Sequence, residues 1–280
     1  MAGGRVTRTR FAPSPTGLLH LGHAFSALVS AAEASPGQFL LRIEDIDRDR
    51  CKPEFEDAIF EDLAWLGLAW RQPVMRQSER MEIYQDALGY LGDLGVTYPC
   101  SCTRGDIKSA LSAPQEGAPV HGPDGLIYPG TCRGRAMRDL REGDVIRLDA
   151  GRAFDLLRDN MLSFRDGRVH VLGRDGFLTG IGDVILARRG MGTSYHLSVV
   201  LDDAAQGIDL VARGQDLFES TWIHVLLQRL LDLETPDYHH HRLIRDEDGK
   251  RLAKRDDARS LRELRGQGMS AGDIRRMVEL

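Results

Sequence analysis

His20-Leu21-Gly22-His23 sets two imidazoles three residues apart, behind a stiff Pro/Gly loop, Ala12–Gly17 (APSPTG), and at the mouth of an Ala-rich stretch. Residues at i and i+3 share one helical face. The N-terminus of a helix offers unsatisfied N–H groups and the positive end of the helix dipole, a setting that favours phosphate. Gly22 leaves the backbone bare, so a flat ring or a phosphate can come close. Taken alone, such a four-residue pattern is more often a pair of surface histidines, and its weight comes from its company.

Three further groups supply that company. Arg42-Ile43-Glu44-Asp45-Ile46-Asp47 ends a strand-like run, and open parallel sheets bind ligands beyond the carboxyl ends of their strands. Glu44 and Asp45 would line the same crevice as the histidines, where a carboxylate suits an ammonium or a ribose hydroxyl. The run Lys250-Arg251-Leu252-Ala253-Lys254-Arg255 brings cations which, beside a phosphate, neutralise charge in phosphoryl or nucleotidyl transfer. Without that context a basic run is a solvated face. Cys100-Ser101-Cys102 and Cys132 are three thiols that, with one more donor, make a tetrahedral zinc site. Tyr128 and His121 compete for the fourth place, and on general chemistry the imidazole is the better ligand. Cys51 lies apart and reads as a plain thiol.

These groups need a frame. Val6–Phe11 reads as a strand, Leu21–Ala32 as a helix, and Gln38–Ile43 as a second strand apolar enough to be buried on both faces. Pro53–Leu66 and Glu79–Leu94 read as helices, and strand–helix alternation of this kind predicts a parallel sheet with crossover helices. From Pro99 to about Arg141 helical periodicity is poor and Gly, Pro and Ser are frequent, which marks an insertion. Residues 144–189 alternate short strands with turns such as Arg165-Asp166-Gly167. Leu197–Leu201 and Asp209–Val211 read as strands, Asp216–Leu231 as a helix and 256–280 as polar helix. The expected division is 1–98 and 142–245 as the two halves of an α/β, Rossmann-like catalytic domain, 99–141 as a zinc-binding insertion, and 246–280 as the basic loop with a short C-terminal helical segment.

Composition excludes several classes. The 280 residues are 42% hydrophobic and 28% charged, the balance of an ordinary soluble globular protein rather than of a disordered tail or a fibre. No run approaches ~20 apolar residues, so no membrane helix is expected, and the Arg-rich start lacks the apolar core of a secretion signal. Four cysteines are too few for a disulfide scaffold, and a reducing cytoplasm is the expected compartment. The net charge of −5 argues against a general nucleic-acid coat, yet residues 242–280 hold 11 basic against 8 acidic residues and can meet a polyanion locally.

Taken in order, RTRFAPSPTGLLHLGH (8–23), LLRIEDIDRDR (40–50), WLGL (65–68), QSER (77–80), YPCSCTR (98–104), YHLSVVLDD (195–203) and RLAKR (251–255) resemble the glutamyl branch of the class I aminoacyl-tRNA synthetases. The Cys-x-Cys insertion argues against the glutaminyl branch. Members that charge tRNA-Glu carry a large helical part that reads the anticodon, whereas 25 residues follow Arg255 here, so no anticodon-binding domain is expected. The resemblance is therefore to the shortened bacterial paralogues, which activate L-glutamate with ATP and Mg²⁺ and attach it to the queuosine base in the anticodon of tRNA(Asp). A monomer is expected.

The resemblance also implies roles. Arg10 and Tyr195 would hold the side-chain carboxylate of glutamate, Glu44 its α-ammonium, and Ser14 and Arg213 its amino and α-carboxylate end. His20 and His23 would meet the ATP phosphates and Lys254 the α-phosphate. The family's Cys-x-Cys-Tyr-Cys pattern falls on Cys100, Cys102, Tyr128 and Cys132, which favours Tyr128 over His121 around one structural Zn²⁺. Two departures stand in the basic loop: Ala253 where Ser is usual, and Arg251 where the leading Lys is usual. Rival readings are a truncated synthetase charging tRNA-Glu, a non-catalytic tRNA-binding paralogue, and a generic zinc-dependent nucleic-acid binder. The last leaves HLGH and RIED unexplained.

Overall fold

A computed structural model describes residues 6–111, 120–244 and 259–280. Strand β1 (Thr9–Phe11) runs through the Pro/Gly loop into helix α1 (Leu21–Glu33), then strand β2 (Phe39–Ile43). Helix α2 (Pro53–Trp65) opens on Pro53, whose missing N–H costs nothing in a first turn, and carries Glu54 and Glu56 at the positive end of its dipole. It stops at Gly67, which supplies the positive φ (76°) that ends a helix. Strand β3 (Arg71–Arg76) tolerates Pro73 because it lies at the edge of the β1-β2-β3 sheet. There follow α3 (Met81–Asp93), β4 (Thr97–Cys100), α4 (Arg104–Leu111), the short hairpin β5 (His121–Gly122) and β6 (Gly125–Leu126), β7 (Val145–Leu148), α5 (Ala150–Asp155) and the hairpin β8 (Met161–Asp166) and β9 (Arg168–Gly173). The remainder is α6 (Arg174–Gly180), β10 (Ile185–Ala187), α7 (Tyr195–Ala205), β11 (Leu210–Gly214), α8 (Thr221–Leu230), β12 (Asp237–His241), α9 (Leu261–Gly266) and α10 (Ala271–Met277).

The chain forms two compact units. The first holds the residues up to Glu79, Gly207–Asp216 and those from Pro236. Here β1, β2 and β3 pair in parallel, and β11 and β12 pair in parallel with each other. The Arg8 carbonyl accepts the Asp209 and Leu210 N–H groups at 3.0 and 3.2 Å, which sets β11 beside β1 and gives the order β3-β2-β1-β11-β12. Parallel strands need apolar cover, and two clusters supply it. One joins Phe11, Leu41 and Ile43 to Ile59 and Leu63 of α2 and Leu261 and Leu264 of α9. The other joins Phe25 and Leu28 of α1 to Ala212, Ile244 and Val278. The second unit, Arg80–Gln206 and Leu217–Thr235, is built on the antiparallel sheet β10-β7-β4 and the β8–β9 hairpin.

Three expectations need correction. Leu197–Leu201 is not a strand but the middle of α7, whose N-cap Ser194 accepts the Leu197 N–H. His196–Val200 are all buried, so the helix has no polar face to mark its period and the apolar run reads like a strand. Residues 144–189 contain α5 and α6 as well as strands, and the Asp149 side chain caps α5. The helix expected over Asp216–Leu231 begins only at Thr221, after a short 3₁₀ turn at Gln215–Leu217.

One buried charge stands out among the helices. Asp62 of α2 is fully buried, and neither carboxylate oxygen has a hydrogen-bond partner among the described residues; the Arg265 guanidinium is 3.8 Å away. Burial pushes its carboxyl up to about 6, against the pull of Arg265 and Arg262. A carboxyl raised in the folded state contributes stability that is fully present below its unfolded value and is lost as pH rises through about 6. Asp62→Asn is therefore expected to stabilise the protein at pH 7.5 by about 1–2 kcal/mol, with the gain fading towards pH 4. Melting curves at the two pH values check this, and an equal gain at both would rule out burial of the charge as the cause.

Candidate functional site

His20 is the N-cap of α1 and uses an imidazole where most helices use a hydroxyl or carboxylate. Its Nδ1 accepts the Gly22 N–H at 3.1 Å, while His23 Nδ1 accepts the His20 N–H at 3.2 Å. The two rings stack with centroids 3.8 Å apart. A neutral imidazole that accepts at Nδ1 carries its proton on Nε2. The backbone thus assigns both rings the same tautomer and leaves each an Nε2–H donor, the group that a phosphate oxygen needs. Gly22 has a reason beyond ligand approach: a Cβ there would lie 3.0 Å from His20 Cε1, so a side chain would push the capping ring aside.

Arg10, Glu44 and Arg213 lie on or just beyond strands β1, β2 and β11 of the same unit. Arg10, on β1, is 5% exposed and its Nη1 donates to the Ala212 carbonyl of β11 at 3.4 Å, one residue from Arg213. Arg213 is equally buried; its Nε donates to His240 Nε2 at 3.2 Å, and its guanidinium lies 5.3 Å from the Tyr238 ring centroid. Glu44 follows β2 directly, and its N–H donates to the Pro13 carbonyl at 3.0 Å, which ties the end of β2 to the loop bearing the exposed Ser14. Arg42, fully buried, donates to Glu44 Oε1 at 3.1 Å and fixes that carboxylate. Residues two apart on a strand share a face, and this was the signal for Arg42 as a positioning group. Asp45 does not serve the crevice as expected, because its oxygens accept the Ser78 N–H at 2.8 Å and the Ser78 hydroxyl at 2.5 Å.

Tyr195 belongs to the second unit, at the first turn of α7. Its ring centroid lies 5.3 Å from His196 and 5.7 Å from His224, and these two buried imidazoles are linked at 3.1 Å. The motifs QSER and YHLSVVLDD also touch here, since Arg80 Nε donates to Asp202 Oδ1 at 2.7 Å and the Tyr84 hydroxyl donates to the same carboxylate. Lys254, with Arg251 and Ala253, lies outside the described residues.

The thiols converge. The Sγ atoms of Cys100, Cys102 and Cys132 lie within 4.8 Å of one another, and those of Cys102 and Cys132 are 3.6 Å apart. The Tyr128 hydroxyl is 3.3 Å from Cys100 Sγ, 3.4 Å from Cys102 Sγ, and accepts the Cys132 N–H at 2.8 Å. Four ligands about 2.0–2.3 Å from a tetrahedral Zn²⁺ stand roughly 3.5 Å apart, so this donor set fits the ion. His121 lies exposed on the β5–β6 hairpin, outside the group of donors that could share an ion. Burial pushes the Cys102 thiol up to about 11. Burial also raises Cys132, but hydrogen bonds from Tyr128, the Ser101 backbone and the neighbouring thiols outweigh it and bring that thiol down to about 6. Burial holds the Tyr128 phenol well above its ordinary value. Thiolates bind a metal and thiols do not, so metal uptake here releases protons.

A parallel sheet with Arg10 and Arg213 on its strands and Glu44 just beyond one of them shares its unit with the His-x-Gly-His helix start. The family model for the catalytic domain of class I tRNA synthetases (E and Q) matches residues 6–279, and the chain belongs to that family. Among curated relatives, the glutamyl-Q tRNA(Asp) synthetase of Rhodobacter capsulatus is 54% identical over 97% of this chain and 99% of its own length. The protein of the same name from Albidiferax ferrireducens is 40% identical over 90% of this chain and 85% of its own. The glutamate-tRNA synthetase structure from Elizabethkingia anophelis superposes with a TM-score of 0.69 at 26% identity, over 90% of this chain. The match covers 53% of that structure, so this chain spans about half its length.

Proposed function

We propose that the protein activates L-glutamate with ATP and transfers it to the queuosine base in the anticodon of tRNA(Asp). The observation that carries this reading is the 54% identity to a protein of that name along 99% of that protein's length, together with buried Arg10, Glu44 and Arg213 on or beside the strands of one unit. Arg10 and Tyr195 receive the side-chain carboxylate, and a guanidinium fork there discriminates against the neutral amide of glutamine. Glu44, held by Arg42, receives the α-ammonium, and Ser14 and Arg213 fix the amino and α-carboxylate end. The α-carboxylate then attacks the α-phosphorus in line, the bond to the β-phosphate oxygen breaks, and pyrophosphate leaves. His20 and His23 offer Nε2–H to phosphate oxygens and Lys254 offers its charge to the α-phosphate, so catalysis is positioning and charge neutralisation. Mg²⁺ bound with the nucleotide would offset part of its negative charge. A queuosine hydroxyl attacks the mixed anhydride, forms the ester and releases AMP.

Cys100, Cys102, Tyr128 and Cys132 hold one structural Zn²⁺, since four protein ligands leave no open position for chemistry. The reading makes the protein a cytoplasmic monomer working where ATP and tRNA are. The test is to incubate it with labelled glutamate, ATP and total tRNA and to map the labelled nucleotide. Label on queuosine of tRNA(Asp) is expected, and label at the 3′ end of tRNA-Glu would overturn the assignment in favour of a short charging enzyme. Lys254→Ala is expected to slow glutamate-dependent ATP–pyrophosphate exchange at least ~100-fold while glutamate still binds.

A further inference from the structure

A cavity of about 230 Å³ opens in the second unit, beside the apolar cluster that packs around the thiols, with Arg104, Arg147 and Arg188 on its wall alongside Asp124 and Asp183. Both carboxylates are engaged with groups of their own. Asp183 accepts the Tyr98 hydroxyl, the Ala150 N–H and the Arg133 guanidinium, while Asp124 faces Arg188 at 3.2 Å and His196 at 3.7 Å. Arg104 and Arg147 form no salt bridge among the described residues, and three arginines face two aspartates on the wall, so the cavity is net positive. Arg147 is 5% exposed; its Nη1 donates to the Asp183 carbonyl, its guanidinium stacks 3.9 Å from the Tyr128 ring centroid, and its buried Nε makes no hydrogen bond among the described residues. A buried charged donor left unmatched is costly, and proteins keep such groups where a ligand completes them.

The volume lies below the ~300–1,000 Å³ of sites that enclose whole small molecules, so the cavity takes a charged group rather than a complete nucleotide. We propose that it binds a backbone phosphate of the RNA acceptor. A chain of net charge −5 has no general basic coat and must hold RNA at local arginine clusters, of which this is a preformed one. The rest of the wall is apolar, including Ile107 and Ile185, and it strengthens a phosphate–guanidinium contact by excluding water. The assignment rests on the proposed function for the identity of the RNA.

The test measures binding of a tRNA(Asp) transcript against salt concentration for the full-length protein, Arg104→Ala and Arg188→Ala, with ATP–pyrophosphate exchange as the second readout. Each variant is expected to bind RNA about five- to tenfold more weakly and to lose about one from the slope of log affinity against log salt, with exchange unchanged. Unchanged RNA affinity in both variants overturns the proposal. So does inorganic phosphate that binds the protein through these arginines without competing with RNA, which would make the cavity a free-anion site. Absence of exchange in the unmutated protein would count against the proposed function instead, and the binding comparison would still be readable.

Discussion

Cys132→Ser should abolish binding of the single zinc ion proposed for the Cys100, Cys102, Tyr128 and Cys132 set, and the segment around 99–141 should become the first site of proteolysis. A serine hydroxyl stays protonated near neutral pH, so the set loses a thiol that its hydrogen bonds bring down to about 6. The three remaining donors are two thiols and a phenol, and burial raises both Cys102 and Tyr128 in the metal-free cluster. Loss of a structural zinc is expected to cost at least ~3 kcal/mol, with a fall in melting temperature of roughly 6–12 °C for a chain of this size. Metal analysis and limited proteolysis read the two effects separately. Tyr128→Phe should weaken zinc binding and His121→Ala should leave it unchanged; the reverse pattern would return the fourth place to the imidazole. Zinc uptake releases protons, so affinity should rise with pH through the neutral range.

Arg10→Lys is expected to raise the KM for glutamate about 30- to 100-fold in ATP–pyrophosphate exchange, equivalent to ~2–3 kcal/mol, and to relax discrimination against glutamine. Lysine keeps the charge but lacks the planar fork, and a single ammonium cannot meet both carboxylate oxygens while also holding the Ala212 carbonyl. The substitution removes no charge from a buried site, so the fold should survive and the melting temperature serves as the control. A KM within twofold of the parent would remove Arg10 from the glutamate site. A matching rise in the KM for ATP would show a general disturbance of the unit.

The frame of the first unit was legible because its elements announce themselves: a doubly buried strand at Phe39–Ile43, a Pro-opened helix at Pro53 and a Gly stop at Gly67. The thiol cluster was legible because Cys-x-Cys has few other uses. Helix α7 was not, because burial on every side erased its amphipathic period, and β3 was not, because Pro73 argues against a strand unless its edge position is known. The roles of Arg42 and Asp45 were hidden for a different reason. Adjacent residues of one motif, Glu44 and Asp45 turn to different partners, and only the folded chain shows that Ser78 claims the second. Roles for Arg10, Ser14, Tyr195 and Arg213 came from likeness to a family, since composition and spacing offered no sign of them.

In the proposed reaction the first turn of α1 makes folding and catalysis share two side chains, each ring serving the backbone through Nδ1 and phosphate through Nε2. The same two imidazoles that satisfy the opening amides of a helix also face the triphosphate in the proposed reaction. Natural drift at either ring is therefore felt twice, once in the melting curve and once in turnover, and neither trait can be tuned without the other.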